Sequence, residues 1–242
     1  MLKEYKAHVK ERAEQGIPPL PLNAEQVASL VELIKGPPSG EEDFVLNLLT
    51  NRVPAGVDPA AYVKAAFLTD IAKEKANSPL IDKKLATELL GTMLGGYNVE
   101  SLIELLEDEE VGAIAADGLS NTLLMFNAKH DVIELSKKNE HAKRVVDSWS
   151  NGEWFTSKPK LPDVIKAIVF KVDGEINTDD LSPAQDAPSR PDIPLHALAM
   201  LKKTFKDPID TINKLEESGL PVVFVGDVVG TGSSRKSATN SL

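Results

Sequence analysis

The run Gly219-Leu-Pro-Val-Val-Phe-Val-Gly226, followed by Asp227-Val-Val-Gly230-Thr-Gly232-Ser233-Ser234-Arg235-Lys236-Ser237, decides the fold of the last third of the chain. Val222 to Val225 are β-branched or aromatic and lie between turn residues, the pattern of a buried strand. The glycines after it read as a turn that opens a helix. Such a turn aims backbone N–H groups and the positive end of the helix dipole at one point. Arg235 adds a planar fork of donors suited to a carboxylate or a phosphate, and Ser233 and Ser234 add orienting hydroxyls. The usual nucleotide loops do not fit: G-x-x-x-x-G-K-[ST] needs a glycine immediately before Lys236, where Arg235 stands, and no G-x-G-x-x-G register can be placed. From its residues alone the stretch is either an anion site or a tight structural turn.

Moving upstream, Val164 to Val172 (VIKAIVFKV) reads as a second strand, and Leu195 to Phe205 and Asp210 to Ser218 read as helices between the two strands. This order is the beginning of an α/β layered domain. Directly after the first strand comes Gly174-Glu-Ile-Asn177-Thr178-Asp179-Asp180-Leu181-Ser182-Pro183, and then Ser189-Arg190-Pro191-Asp192. Polar residues this dense suit a site-lining loop with Arg190 as a second carboxylate clamp. They equally suit a capped turn in which Asp179 and Asp180 cap and Arg190 is solvated.

The stretch SNGEWFTSKPKLPD divides the chain, giving a helical domain over 1–157, a linker over 158–163 and the α/β segment over 164–242. Helix signals recur throughout the first part. Asn23 with Gln26 forms a capping box ahead of an apolar face of Val27, Leu30, Val31 and Ile34; Asp58-Pro59 is a cap with a first-turn proline; Asn98 caps the next apolar helix; and Val111 to Phe126 and Asn139 to Trp149 complete the series. Seven or eight helices joined by short loops predict stacked antiparallel pairs, a HEAT-like array, with a compact bundle as the alternative.

Composition narrows the function. The 242 residues are 42% hydrophobic and 26% charged, which fits a globular protein and excludes collagen, coiled-coil and disordered classes. No run of about 18 apolar residues is present and the N-terminus is a charge-rich amphipathic helix, so a cytoplasmic protein is expected. The chain lacks cysteine, which excludes disulfides, a cysteine nucleophile and any iron–sulfur or zinc–thiolate site built from it alone. A net charge of −10 repels phosphate backbones, although Lys137, Lys138, Lys143 and Arg144 form a local basic cluster that reads as an RNA contact or as a solvated helix face. His8, His130 and His141 have no ligand-spaced partners, and His196, behind the Arg190 loop, reads as a helix-start or packing residue, with reach into the site as the alternative.

Asn177 to Ala184 (NTDDLSPA) and Gly226 to Ser241 (GDVVGTGSSRKSATNS), preceded by a helical array, resemble the swivel domain and the extra HEAT-like domain of the bacterial aconitase B family over the whole chain. The resemblance implies a hydro-lyase of the tricarboxylic acid cycle that interconverts citrate and isocitrate through cis-aconitate, and in some members dehydrates 2-methylisocitrate, with a 4Fe-4S cluster as Lewis acid. By the same resemblance Ser233 is the catalytic base and also touches substrate, Ser234, Arg235 and Arg190 bind substrate carboxylates, and Asp179 orders the loop. As a second role, a helical array fused to a catalytic protein is expected to mediate homodimerisation, contact a neighbouring enzyme or shape the substrate channel, and the resemblance adds mRNA binding linked to iron status.

The α/β segment ends inside the helix that the glycine turn has just begun, so a truncated swivel domain within a longer parent is expected. The cysteine-free chain is then expected to carry no cluster, to be inactive alone and to expose apolar surface on its α/β part.

Overall fold

Side-chain caps and helix-breaking residues set the limits of the helices. The structure, a computed structural model, describes residues 1–15, 19–123, 125–126, 128–190 and 193–242. After α1 (Leu2–Glu14) the reciprocal capping box forms as read: Gln26 N donates to Asn23 Oδ1 at 2.9 Å and Asn23 N donates to Gln26 Oε1 at 3.0 Å. It opens α2 (Ala24–Lys35), which stops at Gly36 and is followed by α3 (Glu42–Asn51). Asp58 caps α4 (Pro59–Ala72) by accepting from Ala60 N at 2.8 Å, with Pro59 in the first turn where no N–H is needed. Next come α5 (Lys83–Gly91), α6 (Val99–Leu105), α7 (Gly112–Ser120), α8 (Ala128–Leu135), α9 (Glu140–Asn151) and the short α10 (Glu153–Thr156).

Two local expectations are corrected. Asn98 precedes α6 but does not cap it; its buried side chain turns back and donates to Leu90 O at 2.7 Å and Met93 O at 3.2 Å, satisfying carbonyls left over at the end of α5. The helix expected over Val111 to Phe126 ends at Ser120. There the hydroxyls of Ser120 and Thr122 donate to Ala116 O and Gly118 O at 2.7 and 2.9 Å, competing for the carbonyls that a continuing helix would use.

Within this unit α4 packs on α2 and α5, and α7 packs on α5 and α9. The intervening helices form a second layer, α3 against α2, α6 against α7 and α8 against α9. Leu30, Ile34, Leu68, Leu90, Leu102 and Leu119 are wholly buried between them. At the α5–α7 crossing the backbones meet at two glycines: a Cβ built on Gly118 would stand 2.8 Å from Gly91 Cα. Packing groups Leu22–Lys160 as one compact unit and Met1–Pro21 with Leu161–Leu242 as another. Helix α1, read as the head of the array, thus falls with the C-terminal segment; Tyr5 is its one buried side chain.

In that second unit β1 (Ile168–Lys171) pairs in parallel with β3 (Val222–Val225), and β2 (Glu175–Asn177) pairs in parallel with β4 (Val228–Thr231). The last two strands, β2 and β4, were not expected. Gly230 and Gly232 sit in and beside β4 with φ of 85° and 93°, so a short strand is hidden inside what reads as a turn. Between the strands lie α11 (Thr178–Leu181), a 3₁₀ turn over Ala184–Ser189, α12 (Ile193–Ala197) and α13 (Pro208–Glu216); α14 (Lys236–Ser241) follows the glycine turn. The helix expected to reach Phe205 stops at Ala197, because Leu201 takes a left-handed φ of 59° and donates its N–H to Asp180 O at 2.7 Å. Phe170 anchors the core, with its ring centroid 5.1 Å from Phe224 and 4.9 Å from Phe205. Helix α13 packs on the β1–β3 sheet, whose alternate side chains Val169 and Val223 stay open to solvent, unlike the doubly covered faces usual for parallel sheets. Among the described residues no helix is long and apolar enough to cross a membrane.

Gly118→Ala tests the helix crossing. In an open helix this change stabilises by up to about 1 kcal/mol; here the new methyl meets the Gly91 backbone, and a loss of roughly 1–3 kcal/mol is expected in urea unfolding. A raised midpoint would mean that α5 and α7 are not in backbone contact.

Candidate functional site

The site is built from the end of β2. Asn177 Oδ1 accepts from Asp179 N at 2.8 Å and Asp180 N at 3.0 Å, while Asp180 Oδ2 accepts from Asn177 N at 2.9 Å. This reciprocal box converts strand to helix within one residue. It leaves Asp179 on the outside of α11 and carries the chain to Ser182, which is wholly buried. The glycine turn is tied to the same segment: Thr178 Oγ1 donates to Ser233 O at 2.9 Å, and the Thr231 hydroxyl bonds the Glu175 carboxylate. A Cβ on Gly232 would lie 3.2 Å from Thr178 Oγ1, so the missing side chain is what lets the turn approach.

Arg235 and Arg190 meet here. Arg235 Nη1 bonds the Asp179 carboxylate and donates to Ser182 O at 2.9 Å, and Arg190 Nη2 reaches the same carbonyl at 3.4 Å. Two guanidinium groups therefore share one backbone acceptor, and the Arg190 Nε is buried with no hydrogen-bond partner among the described residues. An orphaned donor of this kind costs about 1–3 kcal/mol, and more when charged, unless a ligand pairs with it. Ser233 and Ser234 are exposed beside the arginines. Asp179 titrates below the ordinary aspartate range, chiefly because Arg235 hydrogen-bonds its carboxylate, with partial burial opposing. The structure thus gathers Asp179, Arg190, Ser233, Ser234 and Arg235 around one segment; Pro191 and Asp192 lie outside the described residues. Chemically the arrangement suits an anion with several carboxylates.

The sequence does not assign the roles of two further residues, Ser182 of the candidate loop and His196 behind it. Ser182, a small polar residue in a turn, supplies the shared carbonyl. His196 lies wholly buried between Ser182 Oγ and Ser189 Oγ, each 2.8 Å from a ring nitrogen. Elsewhere, Lys137 pairs with Glu134, Lys138 with Glu107, Lys143 with Glu140 and Arg144 with Asp117, so each basic residue of the cluster has an acidic neighbour on the solvent-exposed surface. Among the described residues no group of three or more His, Asp or Glu is placed to hold a metal ion.

The Asp179–Arg235 pair carries a pH signature. Its contribution is complete above the ordinary aspartate midpoint of about 3.9 and is lost only as pH falls through the lower folded value. Carboxyl NMR titration should place Asp179 below that midpoint, and Arg235→Gln should raise it; an unshifted midpoint in both proteins would show that the pair does not form in solution.

Comparison with known proteins adds a lineage to this geometry. The family described as "Aconitate B N-terminal domain" matches residues 4–155, and that described as "Aconitate hydratase 2 N-terminus" matches residues 167–242. Aconitate hydratase B of Pseudomonas aeruginosa is 60% identical over 253 residues, covering 100% of this chain and 29% of the relative. The Escherichia coli K12 and Synechocystis proteins of the same name are 58% and 57% identical, with 29% and 28% of their lengths covered. The chain therefore spans less than a third of these relatives. With one domain matched after the other along nearly its whole length, the chain belongs to the aconitate B N-terminal domain family.

Proposed function

We propose that this chain is the HEAT-like domain and part of the swivel domain of an aconitate hydratase, a hydro-lyase interconverting citrate and isocitrate through cis-aconitate and accepting 2-methylisocitrate in some members. The convergence of Arg190 and Arg235 on the Ser182 carbonyl carries this reading. Such a pair presents adjacent positive forks to a tricarboxylate, and the bonds of Arg235 to Asp179 and to Ser182 O both use Nη1, which leaves its other edge for a substrate carboxylate. The names of the relatives support the same assignment.

In this reading Arg190, Ser234 and Arg235 hold substrate carboxylates, Asp179 orders Arg235, and Ser233 Oγ takes the proton from the substrate carbon. A serine hydroxyl is a very poor base in water. The role requires the nearby arginine charge and the N–H groups of the glycine turn to favour the alkoxide. A 4Fe-4S cluster needs thiolate ligands, and this chain has no cysteine, so its residues do not fit that group. The chain alone is therefore assigned binding without turnover. In an aconitate hydratase B that carries this chain, Ser233→Ala should lower turnover by roughly 100-fold or more with citrate binding retained; near-normal turnover would reject the role.

A second reading, a cytoplasmic interaction or homodimerisation module with regulatory mRNA binding, is favoured on the protein side by a groove of about 1190 Å³ in the helical unit where Leu94, Leu123 and Phe126 stand exposed. Sedimentation velocity over a wide concentration range tests it. A dimer dissolved by Phe126→Asp supports self-association through the groove, and a strict monomer rejects it.

A further inference from the structure

His196 has no part in the chemistry just proposed, yet it is wholly buried and bonded at both ring nitrogens. Counting hydrogens fixes the direction of the bond at Nδ1, and, with the ring neutral, of those at Nε2 and Ser237 as well. Ser189 Oγ has a single hydrogen and donates it to Asp186 O at 2.7 Å. Its 2.8 Å contact with His196 Nδ1 must therefore be an N–H donated by the ring. Burial, then the positive charge of Arg190, lower the His196 pKa, with Asp186 opposing, so the ring stays neutral and Nε2 carries no proton. Nε2 is then an acceptor, and Ser182 Oγ must donate to it at 2.8 Å. With its hydrogen spent, Ser182 Oγ can only accept at its 2.8 Å contact with Ser237 Oγ. The result is a one-way chain from Ser237 through Ser182, His196 and Ser189 to the Asp186 carbonyl.

This chain joins three pieces of the site. Ser237 lies two residues beyond Arg235 in α14, Ser189 immediately precedes Arg190, and Ser182 presents the carbonyl on which both arginines converge. We propose that His196, as the neutral Nδ1–H tautomer, is a positioning residue that sets the spacing of Arg190 and Arg235 by clamping Ser182 between α14 and the 3₁₀ turn. That the two arginines bind substrate rests on the function proposed above; the clamp itself does not.

The test has ligand-free parts for that reason. Long-range ¹H–¹⁵N spectra of the whole chain should show His196 protonated at Nδ1 and unprotonated at Nε2; the opposite tautomer would overturn the proposal. His196→Phe fills the same space without hydrogen bonds, and Ser237→Ala cuts the chain at its far end. Each should loosen Arg235 and so raise the Asp179 carboxyl midpoint toward its ordinary value, whereas Ile212→Val, a core change in the same unit, should leave the midpoint depressed. If His196→Phe is too unstable, Ser237→Ala decides alone. An unmoved Asp179 midpoint in the clamp variants, or an equal rise in Ile212→Val, would reduce His196 to ordinary packing. Citrate titration of the same proteins reads the functional step. Affinity should fall about tenfold in the clamp variants, the loss expected for one net hydrogen bond. Wild-type protein that ignores citrate while retaining the Nδ1–H tautomer and the Asp179 response would reject the substrate assignment and leave the clamp standing.

Discussion

Asn177 accepts two backbone hydrogen bonds with one side-chain oxygen, and the α/β unit depends on the turn this makes. Without it β2 would have no defined exit, Asp179 would not face Arg235, and Thr178 would not reach the Ser233 carbonyl. The interaction is local and cheap to form, since its partners are two and three residues away. Its effect is long-range because two of the groups it aligns, Ser233 and Arg235, lie 55 and 56 residues from their partners along the chain. A candidate site on such a scaffold is preorganised by backbone geometry before any ligand arrives.

The helical unit obeys a different constraint. Its order comes from apolar faces that can be buried only against neighbouring helices, and from side-chain caps that fix where α2, α4, α5 and α9 begin. The Gly91–Gly118 contact brings two helix backbones close enough to exclude any side chain. Polar lacing is secondary here: most ion pairs, such as Lys137 with Glu134, lie on the solvent face, where they contribute little. The two units therefore carry different sensitivities, one to volume and the other to hydrogen-bond geometry.

This division also explains what could be read from sequence. Helices defined by caps and an apolar stripe, as at Asn23 and Asp58, were legible because their determinants are contiguous. Strand β4 was hidden because Gly230 interrupts its only signal, and the helix over Leu195 to Phe205 was overread because Leu201 is claimed by a carbonyl 21 positions upstream. The candidate arginines and serines were legible through their motif and the resemblance it carries. The bonding of Ser182 and Ser189 to His196 was not: hydroxyl partners 14 and 7 residues from a histidine leave no recognisable pattern, and only folding reveals that they share one buried pocket.

The acceptor that gathers Arg190 and Arg235 is a main-chain oxygen. Every amino acid supplies one, so replacing the side chain at position 182 leaves the carbonyl itself present, and a loss on Ser182→Ala would report the hydroxyl that positions it rather than the acceptor. Selection can act on it only through the path of the backbone. The spacing of the two positive charges is thus set by where the turn holds one main-chain oxygen, and an engineer wishing to change it would work through the side chains that fix that turn, Ser182, His196 and Ser237, rather than through the acceptor.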